Sequence, residues 1–96
     1  MISATLVDLY TYEVVVEGSE AVSETRHRVK LVPEYYKKLC GGTITHEWLI
    51  IQSFKFLLER EPNTAILSEF DLEEINRYFP EYEAEITARL GRPPSG

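Results

Sequence analysis

This chain has one cysteine, Cys40, and two histidines, His27 and His46. One thiol cannot close an internal disulfide, so a reducing cytosol is the expected setting. Two histidines leave little for a metal centre or a histidine-based catalytic site. No apolar run approaches the roughly 18 to 20 residues that cross a bilayer, so no membrane span is expected. The opening MISATLVDLY has no basic residue and carries Asp8 in its apolar stretch. It therefore does not read as a secretory signal. No internal repeat or low-complexity segment is present.

What is present is a globular composition. Ninety-six residues with 44% hydrophobic and 27% charged content suit one domain over residues 1–90. Gly91 is a helix stop, and Arg92-Pro93-Pro94-Ser95-Gly96 reads as a loose tail. The net charge is −6 and uneven: residues 1–42 hold five Lys/Arg and six Asp/Glu, residues 43–96 hold five and ten. An acidic half repels phosphate backbones and anionic lipid. It suits a basic partner or simple solubility.

Residues 2–16 alternate. Ile2, Ala4, Leu6, Tyr10, Tyr12, Val14 and Val16 are apolar, broken by Asp8. The pattern predicts a strand, a turn at Gly18-Ser19-Glu20, and a second strand from about Val22 to Val32, stopped by Pro33. A four-residue loop over Gly18–Ala21 would set Glu13 opposite Arg26, Tyr12 opposite His27 and Tyr10 opposite Val29. A two-residue turn would oppose like charges. One face would hold Tyr10, Tyr12, Val14, Thr25, His27, Val29 and Leu31 and meet the helices. The other would mix Thr11, Glu13, Glu24, Arg26, Arg28 and Lys30 with Val7, Leu9, Val15 and Val32. Both edges of a lone hairpin stay open.

The remainder is helical. Pro33 opens a short helix over Glu34–Leu39, ended by Gly41-Gly42. Thr45 caps the main helix, His46–Arg60, with Glu47 at its positive end. Pro62 stops it. Asn63 or Thr64 caps a short turn through Ile66, Leu67 and Phe70. Asp71 with Glu74 forms a capping box for Leu72–Phe79, and Pro80 leads into Glu81–Leu90. The expected fold is α+β: an N-terminal antiparallel β-hairpin packed on three to four helices, in the order β-β-α-α-α-α.

The main helix carries two apolar stripes. Ile50, Ile51, Phe54, Leu57 and Leu58 form the wider one and should be core. Leu49 and Phe56, with Trp48 near, form the second. Either the last helix covers that stripe or it is an interface.

The chemistry-bearing residues form no recognised motif. Cys40 lacks the local signature of a cysteine nucleophile, although His46 follows it. His46-Glu47 begins like a zincin sequence, but the second histidine is missing. A site from both histidines with Glu47 or Asp71 would be needed to hold a metal. Gly41-Gly42 lacks the lysine and spacing of a phosphate loop. Acid pairs such as Glu59 with Glu61, and Glu81, Glu83 and Glu85, sit on helix faces, with Glu73–Arg77 and Glu85–Arg89 spaced for ion pairs. A helix-turn-helix reading would put Glu73, Glu74, Asn76 and Arg77 against a phosphate backbone, with the wrong charge.

The run Ser53-Phe54-Lys55-Phe56-Leu57-Leu58-Glu59-Arg60-Glu61-Pro62, followed by Ile66-Leu67, Phe70-Asp71-Leu72, Ile75 and Tyr78-Phe79-Pro80-Glu81-Tyr82, resembles a group of short bacterial proteins of no assigned function. The match spans about residues 53–82. It implies a bacterial cytoplasmic protein and carries over no active site, cofactor or partner.

These readings point to a small, acidic, non-catalytic protein-interaction or regulatory module without a cofactor or metal. Its candidate interface is Trp48, Leu49 and Phe56 with Val7, Leu9 and Val15. The expected partner is a protein or a second copy joined at the hairpin edge, not nucleic acid or membrane. A small enzyme using Cys40 or a histidine is the remaining alternative.

Overall fold

The computed structural model describes residues 1–18, 23–42 and 44–90. The fold is α+β. Its strands are β1 (Ile2–Asp8), β2 (Thr11–Val16), β3 (Thr25–Lys30) and β4 (Glu69–Asp71), and its helices are α1 (Pro33–Cys40), α2 (His46–Leu58), α3 (Ile75–Tyr78) and α4 (Tyr82–Arg89). The sheet order is β1-β2-β3-β4. The first three strands run antiparallel, and β4 lies parallel to β3.

The expected first strand is in fact two, turning at Leu9-Tyr10. Ile2 pairs with Val16, Ala4 with Val14 and Leu6 with Tyr12, but Asp8 pairs with Thr11. Val7 is therefore an extra residue, a β-bulge. A two-residue turn alone would pair even positions with odd ones. The bulge restores even with even, so the apolar even positions of both strands share a face. This is why two strands read as one long alternation. Tyr10 takes a left-handed φ of 60°, and its carbonyl accepts from the Leu31 amide at 2.8 Å. It lies in the turn, not on the helix-facing surface expected for it.

Between β2 and β3 the register is two residues away from the expected one. Glu13 faces Arg28, Val14 faces His27 and Tyr12 faces Val29. A shift of two preserves the faces, so Tyr12, Val14, His27, Val29 and Leu31 are all buried as expected. Glu13 still reaches Arg26 diagonally at 3.3 Å. The expected turn at Ser19-Glu20 and the strand start at Val22 lie outside the described residues.

β4 was not expected. Its Glu69-Phe70-Asp71 sits beside Arg28-Val29-Lys30, so each charge meets its opposite and Phe70 continues the apolar row. A parallel neighbour needs a long crossover, and α1 with α2 supplies it.

Most helix signals hold, but neither Asn63 nor Thr64 caps the turn after Pro62: Pro62 takes the cap position, and the Asn63 side chain donates to Ser23 and Thr25 instead. Pro33 is in the first turn of α1, and Gly41, at φ 63°, returns its amide to the Lys37 carbonyl. Thr45 accepts from the Trp48 amide at 3.0 Å. The Asp71–Glu74 capping box is present, but it opens a 3-10 turn over Leu72–Glu74 that continues as the single-turn α3. α2 is the centre of the molecule. Phe54 meets His27 and Phe70 on the sheet side, and Phe56 meets Phe79 and Tyr82 on the other.

Candidate functional site at the first hairpin

The second stripe of α2 is core. Leu49 and Phe56 are 0% exposed, so their expected role as a surface is corrected. α4 comes back along α2, and its Tyr82 ring packs 5.3 Å from Phe56. The contact is sealed by polar groups. Ser53 Oγ donates to the Leu49 carbonyl at 2.8 Å, which leaves it to accept from the Tyr82 hydroxyl. Burial pushes that phenol well above its ordinary pKa. Arg60 lies 3.6 Å over the Phe56 ring and binds Glu81 at 3.1 Å and Glu85 at 2.7 Å. Arg89 joins Glu59, and the Glu85–Arg89 spacing is met at 3.8 Å. Glu73 and Arg77 form no ion pair among the described residues. Trp48 alone of its stripe is exposed, at 47%, with Lys55 Nζ 5.8 Å from its ring.

The histidines are held by neighbours. His27 is bonded through both ring nitrogens. Nδ1 donates to the Leu67 carbonyl at 2.7 Å, and Nε2 lies 2.9 Å from Thr25 Oγ1. Asn63 donates to that hydroxyl and to the Ser23 carbonyl. Both ring nitrogens are thus engaged, and neither is left for a metal. His46 is half-buried, with Nδ1 3.0 Å from the Tyr12 hydroxyl and its ring 3.9 Å from that of Tyr36. Burial, then the nearby Glu47 and Tyr36, raise the Tyr12 pKa and keep the phenol protonated. Cys40 is 0% exposed, with Sγ 3.3 Å from the Tyr36 carbonyl. Among the described residues no three of His, Cys, Asp and Glu gather into a cluster that could hold a metal, and no helix is long and apolar enough to cross a membrane.

The exposed apolar surface gathers instead at the turn of the first hairpin. Leu9 is 71% exposed, Leu6 57%, Val7 44% and Tyr10 38%. Val15, on β2, is half-buried. Each exposure has a local cause. Val7 is the bulge residue, Leu9 and Tyr10 are in the turn, and Leu6 is on the outer strand. The turn is pinned: Asp8 Oδ1 accepts from the Leu9 amide at 2.7 Å and Thr11 donates to the Leu9 carbonyl. β1 is an outer strand of the sheet, and its one charged side chain is Asp8. Sequence reasoning named Val7, Leu9 and Val15 but missed Leu6 and Tyr10, because it saw no turn at Leu9-Tyr10. Asp8, the break in the alternation, was the available signal. No known protein family, curated protein or solved structure matches this chain.

Proposed function

We propose that this chain is a small, acidic, non-catalytic interaction module, working in a bacterial cytoplasm, whose contact surface is the turn of the first hairpin and the open edge of β1. The carrying observation is the cluster Leu6, Val7, Leu9 and Tyr10 beside an unpaired strand edge. Contiguous exposed apolar groups mark interaction sites. Natural edge strands are usually blunted by lysine, proline, inward charge or a bulge; β1 has the Val7 bulge and Asp8 at its hairpin end, and Ile2 to Leu6 carry none of these devices. Tyr10 adds support. A tyrosine in a left-handed turn costs free energy that glycine or asparagine would not, and such positions cluster at functional sites. The non-catalytic reading is supported by the engagement of both His27 nitrogens and by the burial of Cys40, which keeps a thiol from acting on a substrate.

The test is affinity capture with the chain and with a Leu6→Lys/Leu9→Lys variant, both first verified as folded by circular dichroism. A protein retained by the parent and lost by the variant supports the reading. Equal capture by both would refute this surface.

A second copy is the alternative partner. Two β1 strands paired antiparallel about Thr5 would set Ile2 opposite Asp8, Ser3 opposite Val7 and Ala4 opposite Leu6, with no like charges facing. Sedimentation velocity over a wide concentration range decides it, and a monomer throughout excludes it.

A further inference from the structure

A cleft of about 360 Å³ lies away from the hairpin, where the end of α2 meets β4 and α3. Leu57, Ile66, Phe70, Ile75 and Phe79 make its walls, and Glu61 and Glu74 are its only charged lining residues. Its size is at the lower end of small-ligand sites, and the apolar lining with a few polar groups is their usual make-up.

The two carboxylates differ. Glu74 is occupied, accepting the Asp71 amide at 2.8 Å in the capping box. The Glu61 side chain makes no hydrogen bond or ion pair among the described residues, and its carboxyl is raised above the ordinary value by burial alone. Its neighbours show the contrast: Glu59, Glu81 and Glu85 each hold an arginine. A half-desolvated anion with no counter-charge is unfavourable unless something supplies one. No Lys, Arg or His lines the cleft.

We propose that this cleft binds a small organic cation, its hydrocarbon body on Leu57, Ile66, Phe70 and Phe79 and its ammonium against the Glu61 carboxylate. The proposal shares no residue with the hairpin surface and does not rest on it. An apolar body accounts for the walls. One positive charge accounts for Glu61. A neutral or anionic ligand of the same shape would leave Glu61 unpaired or repelled.

The experiment is a titration of the nitrogen-labelled chain followed by two-dimensional NMR. The probes are tryptamine, tryptophol and indoleacetate, which share one body and carry an ammonium, a hydroxyl and a carboxylate. Tryptamine is expected to shift the amides of Glu61, Ile66 and Ile75. Tryptophol should bind about tenfold more weakly, the effect of one charge-assisted hydrogen bond, and indoleacetate more weakly still. Glu61→Gln should bring tryptamine to the affinity of tryptophol while leaving tryptophol unchanged. Ala65→Arg, which places a resident cation on the wall, should abolish tryptamine binding. Both variants keep dispersed spectra if folded, and each reports independently of the other. Equal affinity for all three probes, no shift with tryptamine, or an ammonium preference that survives Glu61→Gln would overturn the proposal.

Discussion

The seam between α2 and α4 and the end of the first hairpin use the same kind of side chain to opposite effect. At the seam, Phe56 and Tyr82 are wholly covered. Ser53 matches the one polar group buried there, and Arg60 and Arg89 close the rim. At the hairpin, Leu6, Val7, Leu9 and Tyr10 stand in solvent at the outer edge of β1, which has no neighbouring strand there among the described residues. Hydrophobicity does not separate the two regions. The return of the chain does: Pro80 and Glu81 send α4 back along α2, and nothing described returns across β1. One apolar cluster is thereby core, and the other is available for contact.

The largest test of this contrast is Phe56→Ala. Large-to-small changes at fully buried aromatics cost about 3–5 kcal/mol, against total stabilities of about 5–15 kcal/mol for domains of this kind. Urea denaturation should show a much lower midpoint, and Leu49→Asp with Phe56→Asp should not fold. A folded double variant would mean that the seam is not the core.

Ser53→Ala and Tyr82→Phe divide the seam further. Ser53→Ala strands a buried hydroxyl and should cost about 1–3 kcal/mol, whereas Tyr82→Phe removes the donor itself and should cost about 0.5–1.5 kcal/mol. Denaturation midpoints in the opposite order would show that the hydrogen bond is not as assigned.

The arginine rim should show in the pH dependence. Glu59 is held below its ordinary pKa chiefly by Arg89, and Glu81 by a backbone hydrogen bond and then Arg60. A folded pKa below the unfolded one gives stability that is present above the unfolded value of 4.5 and lost as pH falls through the folded value. Thermal midpoints should therefore fall in acid, and Arg89→Gln should flatten that fall. Glu61 has the opposite sign. Its folded pKa is raised, so its ionised form is unfavourable to folding at neutral pH, and that cost disappears as pH falls to the unfolded value. Glu61→Gln should raise the midpoint slightly at neutral pH and make no difference in acid. A lower midpoint at neutral pH would show that Glu61 has a favourable partner.

The smallest effect on stability belongs to the hairpin end. Leu6→Lys with Leu9→Lys should stay within roughly 0.5 kcal/mol per site, as exposed substitutions do, while association through this surface is lost. A large loss of stability would instead make these side chains structural.

The legible parts of this fold were local. Pro33, Gly41, Thr45, Pro62 and the Asp71–Glu74 box each act within one turn of backbone, and each marks a boundary in the structure. Alternation identified the buried face of the sheet even though the register was two residues off, because faces depend only on parity. The turn at Leu9-Tyr10 was hidden by the Val7 bulge, which preserved that parity across two strands. β4 was hidden by its length of three residues, although its acid-apolar-acid pattern complements Arg28-Val29-Lys30. Of the candidate surface, Val7, Leu9 and Trp48 are exposed, while Leu49 and Phe56 are covered.

The sequence by itself determined the α+β class, where α1, α2 and α4 begin to within a residue and which side of each strand is apolar, since these follow from backbone sterics, capping and periodicity. Only the tertiary structure decided which apolar stripe is covered, that Arg60 reaches Glu81 and Glu85 while Glu61 has no partner among the described residues, and that both His27 nitrogens are engaged. Those outcomes depend on where segments distant in sequence come to lie, and no local pattern encodes a distance between them.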